Sequence, residues 1–284
     1  MIEKDILGVV IIYNPNVEEL IYNINQYIGN ISKLIIWENS ILDNNEKKEI
    51  ISGVLNSEKI VFEGNGENIG ISKALNTILN KSYVSNYKFL LTMDQDSEWL
   101  NFREYLGVIE RNLNKFKIFG PRIVNLYANE NNELIKEDKI EKCDFVITSG
   151  AIYKMDLFSK IGGFDDEYFI DAVDEEICYR ARKYGYSTGC IMQANLGQHF
   201  GEYKTKKIFG KTIAYSNYSP FRDYYIVRNH IWLVKSGLLK NEEKKLMLWN
   251  YVIAFTFKVL LFEKDKSVKI NAIFKGFKDG ILRK

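Results

Sequence analysis

The sequence predicts an α/β fold: a mainly parallel sheet flanked by helices, followed by aromatic-rich helices towards the C-terminus. Short apolar runs alternate with segments whose apolar residues recur at helical spacing, which is the pattern of successive βαβ units. Several of these runs end abruptly in polar residues, as strands buried on both faces do. The 284 residues are 46% hydrophobic and 14% aromatic, which is enough for a packed core.

The first βαβ unit opens the chain. The aliphatic run 6–13 predicts a buried strand that ends in the turn Asn14-Pro15-Asn16. Apolar residues at helical spacing predict a helix over 17–28. A second strand is predicted over 33–37, and it ends in Glu38-Asn39-Ser40.

A glycine-containing loop follows the second unit. A helix over 46–55 and a strand over 59–63 lead into the loop 64–70, and a helix over 72–79 begins at once. Such a loop offers backbone N–H groups and a positive helix end, which suit phosphate or ribose. A tight turn with an ordinary cap explains the loop equally well. The spacing is not G-x-G-x-x-G, which disfavours NAD and FAD.

The next strand ends in two aspartates. The apolar run 89–93 is followed directly by Asp94-Gln95-Asp96-Ser97. Ligands of open α/β sheets bind at the carboxyl ends of the strands. Residues i and i+2 share one face of a strand, so Asp94 and Asp96 would offer two oxygen donors to Mg²⁺ or Mn²⁺. A solvated turn uses the same residue types, so the triplet alone leaves both readings open.

The middle of the chain continues the alternation. A helix is predicted over 102–116, a strand over 118–123 and a polar surface excursion over 125–141. Strand character resumes over 145–155, with a break at Ser149-Gly150 where the backbone bends or approaches something closely.

An acidic segment then leads into a helix whose apolar face includes Ile177 and Ala181. Acidic residues are favoured at a helix N-terminus without any catalytic role, so each of these could be a cap. The carboxylates stand at Asp165, Asp166, Glu167, Asp171, Asp174, Glu175 and Glu176.

The two histidines differ in their surroundings. His199 lies between Gly197 and Gly201, where its ring nitrogens are accessible to a metal. His230 is followed by Ile231, and such a histidine is expected to satisfy a hydrogen bond in the core.

The C-terminal third changes character. Residues 202–219 are polar and lysine-rich and predict a mobile loop, and aromatic-rich helices are predicted over 220–234 and 245–262. The run 246–262 contains Asn250 and Lys258, which favours packing on the core or an interfacial helix over a membrane span. Downstream lysines could contact anionic headgroups.

Composition excludes several classes. A net charge of +2 gives no basic field for nucleic acid. The chain has three widely spaced cysteines, Cys143, Cys178 and Cys190, and no two of them form a C-x-x-C pair. This spacing argues against a disulfide framework or a zinc ribbon and fits a reducing cytosol. The first residues lack the features of a signal peptide, so none is expected.

Together these motifs resemble the family 2 glycosyltransferases with the GT-A fold, a Rossmann-like sheet flanked by helices. The likeness covers roughly residues 5–235. Within the family, the chain resembles bacterial rhamnosyltransferases at residues 92–97, at Phe169-Ile170-Asp171 and at Tyr224-Tyr225 before Arg228-Asn229. The family motifs are Tyr13-Asn14, Glu38-Asn39-Ser40, Asn68-x-Gly70 with Asn76, Asp94-x-Asp96, and the acidic segment before Cys178-Tyr179-Arg180.

The resemblance implies transfer of a sugar, with inversion, from a nucleotide diphosphate sugar to a saccharide or lipid-linked saccharide in cell-surface polysaccharide synthesis. It implies L-rhamnose from dTDP-L-rhamnose and a requirement for Mn²⁺ or Mg²⁺. Asp174, six residues before Arg180, corresponds to the family's general base. Asp171 is the second candidate for this role and could hold the acceptor instead. The implied nucleotide-sugar residues are Tyr13, Asn14, Glu38, Ser40, Asn68, Gly70, Lys73, Asp94 and Gly150, and the implied metal ligands are Asp94, Asp96 and His199.

Residues 1–200 would form the catalytic core, and 201–284 a mobile loop and helices that complete the acceptor side. The expected location is the cytoplasm or the inner face of the membrane. The aromatic C-terminal region would contact either a membrane or a second copy of the chain in a homodimer.

Other readings stay open: a family 2 enzyme that uses a UDP- or GDP-sugar, a sugar nucleotidyltransferase, or a noncatalytic nucleotide-sugar-binding module. The first strand lacks the glycine-rich signature that nucleotidyltransferases usually carry. The intact set of Asp94, Asp96, Asp174 and His199 speaks against a module that has lost its chemistry.

Overall fold

The computed structural model describes residues 2–125, 139–198, 204–208 and 211–282. Its strands are β1 (Ile6–Ile12), β2 (Lys33–Glu38), β3 (Ile60–Gly64), β4 (Phe89–Asp94), β5 (Glu98–Trp99), β6 (Ile118–Asn125), β7 (Ile140–Cys143), β8 (Ala151–Lys154), β9 (Thr188–Gln198), β10 (Lys204–Ile208) and β11 (Lys211–Tyr215). Its helices are α1 (Val17–Asn25), α2 (Asn44–Gly53), α3 (Ile71–Leu79), α4 (Phe102–Asn112), α5 (Met155–Ile161), α6 (Val173–Lys183), α7 (Pro220–Lys235), α8 (Asn241–Leu248), α9 (Phe255–Phe262) and α10 (Lys266–Leu282).

Nine of the eleven described strands form one sheet in the order β3-β2-β1-β4-β8-β6-β9-β5, with β7 paired to β9. The first four are parallel neighbours. Ile11 lies opposite Asp94, and Ile12 lies opposite Glu38. The carboxyl ends of β1, β2 and β4 therefore meet at one edge of the sheet, and the predicted α/β fold is confirmed.

The far half of the sheet differs from the sequence expectation. The segment predicted as a strand over 145–155 is a loop up to Gly150, a short strand β8 antiparallel to β4, and then α5. The long strand β9, which runs parallel to β6, was not predicted. The described parts of the expected loop 202–219 contain the antiparallel hairpin β10–β11.

Helices cover both faces of the sheet. One core cluster takes Leu20 and Ile24 from α1, Ile50 from α2 and Tyr105 from α4. On the opposite face a second cluster takes residues from α3, α5, α6 and α7, among them Ile177. Both clusters contain residues from the central strands, so the sheet is buried on both faces and its carboxyl edge is held rigidly.

The C-terminal helices pack on α7. Val227 and Ile231 of α7 contact Val259 and Ile273 in a small third cluster. A Cβ atom at Gly276 would lie 2.5 Å from the Tyr224 carbonyl oxygen, so glycine permits the close approach of α10 to α7. A π-helical segment, Trp249–Ala254, joins α8 to α9. By length and composition alone, the continuous helix Asn241–Phe262 could cross a membrane.

A buried carboxylate in α7 gives the first testable prediction. Asp223 is fully buried, and neither of its carboxylate oxygens has a hydrogen-bond partner among the described residues. Burial raises the pKa of Asp223 to about 7, although the charge of nearby Lys269 opposes the rise. A carboxyl whose pKa is higher in the folded state than in the unfolded chain lowers the stability of the folded protein as the pH rises. The loss begins near the pKa of the unfolded chain and is complete above the folded pKa of about 7.

We expect Asp223→Asn to raise the free energy of unfolding at pH 8 by roughly 2–4 kcal/mol, because each pKa unit corresponds to about 1.4 kcal/mol. At pH 5 the difference should be much smaller. Urea denaturation at both pH values measures it, and equal stability of the two proteins at pH 8 would refute the prediction.

Candidate active site

The ends of β1, β2 and β4 are hydrogen-bonded to one another. The side-chain amide of Gln95 accepts from the Tyr13 N–H at 2.7 Å and donates to the Tyr13 carbonyl at 3.2 Å. The Asn14 N–H donates to Ser40 Oγ at 2.7 Å. The Tyr13 ring is left 54% exposed. This edge is therefore preorganised, with an exposed aromatic face for a ligand.

The loop before α3 is fixed by the acidic segment. Asn68 Oδ1 accepts from the Gly70 N–H at 3.2 Å. Gly70 has φ +82°, and a Cβ atom there would lie 2.7 Å from the Phe169 carbonyl oxygen. The first N–H of α3 is already used inside the protein, because the Ile71 N–H donates to the Phe169 carbonyl at 2.8 Å. This contact is the kind of cap that the sequence left open beside a phosphate or ribose site. Lys73, on the same helix, is exposed to solvent.

The two aspartates at the end of β4 lie in partly buried surroundings. The Asp94 N–H donates to Ser149 Oγ at 3.0 Å, and Gln198 Nε2 donates to Asp94 Oδ2 at 3.1 Å. Burial raises the pKa of Asp94 to about 7, and the charge of Asp96 adds to the rise. The Arg222 charge and the Gln198 hydrogen bond oppose it. The carboxylates of Asp94 and Asp96 are thus close enough to repel each other.

This donor set fits a divalent cation that the substrate helps to hold. Within the described ranges, no group of three or more His, Cys, Asp or Glu side chains is placed to bind a metal. Mg²⁺ commonly takes only one or two protein carboxylates, and substrate phosphates and water complete its coordination. Two mutually repelling carboxylates suit that role. His199, the third predicted ligand, lies outside the described residues.

Arg222 is a site residue that the sequence analysis missed. Its guanidinium lies in the first turn of α7, where Nη2 donates to Asp171 Oδ1 at 3.0 Å and Nε donates to Asp171 Oδ2 at 3.2 Å. Its charge also acts on Asp94. No motif marks it, because it is far from both aspartates in sequence and opens an otherwise aromatic helix.

Asp171 and Asp174 have different surroundings. Asp171 has φ +63°, and its carboxylate is bound by Arg222. Asp174 lies in the first turn of α6, where its Oδ1 accepts from the Glu175 N–H at 3.0 Å. Burial, followed by the charge of Glu175, raises the pKa of Asp174 to about 7. Asp174 is therefore poised to take up a proton near neutral pH.

A buried contact between His230 and Glu175 lies beside Asp174. His230 Nδ1 is 2.6 Å from the Ile226 carbonyl, as the core role predicted for this histidine requires. Its Nε2 lies 3.2 Å from Glu175 Oε2, and its ring stacks on Tyr251 with centroids 3.6 Å apart. Burial lowers the pKa of His230, but the hydrogen bond and charge of Glu175 outweigh it and raise the pKa above its usual value. No sequence motif indicates the contact between His230 and Glu175.

Two predicted nucleotide-sugar residues are engaged inside the protein. The Glu38 carboxylate is 5% exposed, contacts Lys47 Nζ at 2.7 Å and accepts from the Leu42 N–H at 3.3 Å. At Gly150 the N–H donates to Thr92 and the carbonyl accepts from Tyr105. A Cβ atom at Gly150 would approach Leu196, Pro121 and Trp99 within about 3 Å, so the packing around this position requires glycine.

Comparison with known proteins finds a relative by sequence similarity and several solved structures with a similar fold. The chain is 29% identical to the dTDP-rhamnosyl transferase RfbF of Shigella flexneri, over 82% of this chain and 81% of the relative. No protein-family model matches it. The crystal structure of S. aureus TarS 1–349 superposes with a TM-score of 0.55 at 15% identity, over 98% of this chain and 81% of that one.

Two ligand-bound crystal structures are also similar. S. aureus TarS 1–349 in complex with UDP-GlcNAc has a TM-score of 0.55 at 14% identity, over 96% of this chain and 81% of that one. GalNAc-T7 with UDP, GalNAc and Mn²⁺ has a TM-score of 0.55 at 12% identity, over 89% and 57%. At these identities the structures show the fold alone. The predicted GT-A fold and the resemblance to rhamnosyltransferases are confirmed.

Proposed function

We propose that this glycosyltransferase transfers L-rhamnose, with inversion, from dTDP-L-rhamnose to a saccharide or lipid-linked saccharide of the cell surface. The observation that carries the choice of donor is the similarity to a dTDP-rhamnosyl transferase over four-fifths of both chains. The site geometry supports the reaction class, because the charge of Arg222 acts on Asp94 at the end of β4 and its guanidinium also binds Asp171. Asp174, three residues after Asp171, has a pKa raised to about 7.

The donor would bind at the carboxyl edge of the parallel strands. The exposed Tyr13 ring would offer a stacking face for a base, and the polar residues Asn14, Ser40 and Asn68 belong to the strand ends and loop that follow β1, β2 and β3. Lys73 adds a positive charge on the adjoining helix. Glu38 and Gly150 would act indirectly, by fixing the strand ends that carry these groups.

The leaving dTDP gains negative charge as the bond to the sugar breaks. Asp94 and Asp96 would hold Mn²⁺ or Mg²⁺ together with the diphosphate, and the cation would supply electrostatic stabilisation of that charge. Arg222 would add a permanent positive charge beside Asp94. Mn²⁺ and UDP in the GalNAc-T7 crystal structure support this role for a cation in the fold.

The acceptor hydroxyl must lose its proton as it attacks, and Asp174 is the proposed base. Asp171 is less suited to that step, because its carboxylate is held by Arg222. Asp171 would instead keep Arg222 directed into the site. We place the enzyme in the cytoplasm, with access to the inner face of the membrane.

The donor assignment is tested by a thermal-shift panel of dTDP, UDP and GDP and their sugars, each with and without Mn²⁺. A ligand that binds only the folded state raises the melting temperature by mass action, so the panel ranks affinities directly. We expect dTDP and dTDP-L-rhamnose to give the largest shifts, and only when metal is present.

Three outcomes favour the competing readings. A larger shift with UDP or GDP keeps the enzyme class and replaces the donor. Binding without metal-dependent turnover of any nucleotide sugar favours a noncatalytic binding module. Formation of a nucleotide sugar from a sugar phosphate and a nucleoside triphosphate would identify a nucleotidyltransferase.

A further inference from the structure

The helices after residue 241 leave a large apolar surface exposed. On the continuous helix Asn241–Phe262, side chains at Trp249, Ile253, Phe257 and Leu261 recur at helical spacing and face solvent. Trp249 is 57% exposed and Phe257 is 58% exposed. On α10, Phe274 is 69% exposed and Phe277 is 41% exposed. These six residues are called the C-terminal apolar face.

The charges around this face are mostly positive. Among the described residues from 241 to 282, exposed carboxylates stand only at Glu242 in the first helix and at Asp265 between the two helices. Two further carboxylates are paired with basic side chains of the protein: Glu243 accepts from Arg182, and Glu263 accepts from Lys269 in a buried pair. Exposed lysines stand at Lys245, Lys258, Lys264, Lys266, Lys275 and Lys278.

We propose that the C-terminal apolar face docks on the surface of an anionic lipid bilayer. Aromatic and aliphatic side chains would enter the boundary between headgroups and acyl chains, and the lysines would contact the anionic headgroups. A second copy of this chain is disfavoured as the occupant, because a two-fold interface would bring two positively charged faces together.

The helix lies on the bilayer and does not cross it. Met247 and Val259 are buried against the folded core, and the Tyr251 hydroxyl donates to Glu175 Oε1 at 3.3 Å. A spanning helix would have to break these contacts and bury Lys258 in hydrocarbon. The apolar side chains are therefore suited to the interface, with the opposite side of the helix held by the enzyme.

Docking also places the site near the lipid surface. Tyr251 contacts Glu175, the residue next to Asp174, from the side of the helix that packs on the core. A helix is about 10 Å across, so Asp174 would lie little more than one helix diameter from the headgroups. This proposal deepens the proposed function, because a lipid-linked acceptor would be presented at that distance.

The test is flotation of the full chain with vesicles of phosphatidylcholine alone or with 30% phosphatidylglycerol, without nucleotide or acceptor. We expect flotation only with the anionic vesicles, and quenching of Trp249 by brominated lipid. Trp249→Phe supplies the background from the other tryptophans. Phe257→Ser with Phe274→Ser should weaken binding at least tenfold, and Lys275→Gln with Lys278→Gln should weaken it on the order of tenfold at low salt.

The matched control is Leu55→Ser with Leu100→Ser, which removes apolar side chains that are 68% and 49% exposed elsewhere on the surface. The control should float like the wild type. No flotation with anionic vesicles overturns the proposal, as does a dimer in sedimentation velocity that the Phe257→Ser, Phe274→Ser variant dissociates. The donor-induced thermal shift of the same variants is read separately, so failure of docking is distinguishable from failure of the donor assignment.

Discussion

Replacing Asp174 with Asn should lower rhamnosyl transfer by a factor on the order of 10²–10⁴ while donor affinity stays within about twofold. Asn keeps the shape of the side chain but cannot take the acceptor's proton. Asp174 is in the first turn of α6 and contacts the Glu175 N–H, a hydrogen bond that the Asn carbonyl can also accept. Initial rates of dTDP release and calorimetric titration with dTDP measure the two quantities.

Asp156→Asn serves as the control for this variant. Asp156 is an exposed carboxylate at the start of α5, paired with Lys117. Transfer by the control should remain within about twofold of the wild type. An Asp174→Asn enzyme with wild-type turnover would contradict the assignment of the base.

The rate should also depend on pH through Asp174, whose pKa is raised to about 7. The base acts when ionised, so the rate should rise from pH 5 through 7 and level off above pH 8. The charged and titratable groups around it are Asp171, Glu175 with His230, Cys178, Tyr153 and Tyr251. Asp174→Asn should remove this limb of the profile, and an unchanged limb would assign it to another group.

Replacing Asp96 with Ala should abolish the metal-dependent part of donor binding. Asp94 and Asp96 repel each other in the protein alone, and a cation shared with the diphosphate would relieve that repulsion. We expect the thermal shift with dTDP and Mn²⁺ to fall to the value seen without Mn²⁺. The affinity for dTDP in the presence of Mn²⁺ should drop at least tenfold in calorimetry.

Glu98→Ala is the matched control, because it removes another carboxylate two residues further along the chain. Glu98 accepts a hydrogen bond from the Tyr22 hydroxyl at 2.8 Å. Its thermal shift with dTDP and Mn²⁺ should match that of the wild type. If Asp96→Ala keeps the full metal-dependent shift, the metal is held elsewhere.

The N-terminal half of the fold was predictable because its signals are local. The strands β1, β2 and β4 are continuous apolar runs, and each ends at a polar residue that the structure places at the sheet edge. Strand β9 escaped prediction because Gln193 and Asn195 interrupt its apolar pattern. Gln193 Oε1 accepts from the Lys139 N–H at 3.1 Å and Asn195 Oδ1 accepts from Arg122 Nε at 2.9 Å, so partners distant in sequence satisfy the buried polar side chains.

Helix α10 escaped for a related reason. Gly276 and Gly280 weaken a helical pattern in the sequence, but both face α7, where a side chain would meet its backbone. The benefit of glycine there depends on a partner helix that begins more than forty residues earlier. Only the tertiary structure shows that benefit.

The same division holds at the site. Asp94, Asp96 and Asp174 are marked by their position at a strand end or helix start, so motif and spacing were enough to select them as candidates. The contact of Arg222 with Asp171 and the contact of His230 with Glu175 each join residues that are far apart in sequence. The resemblance implies that Glu38 contacts the nucleotide, and no motif indicates the contact that its carboxylate makes with Lys47, nine residues further along the chain.

The most direct test of the account is turnover of dTDP-L-rhamnose by the purified chain with Mn²⁺ and a membrane lipid extract as acceptor. Chromatography would follow dTDP release and the appearance of rhamnose in the lipid fraction, with UDP- and GDP-sugars in parallel and Asp174→Asn as the inactive reference. The account predicts release of dTDP and labelled lipid product by the wild type, at least a hundredfold above the variant. Faster turnover of a UDP- or GDP-sugar, or equal rates for the wild type and Asp174→Asn, would contradict it.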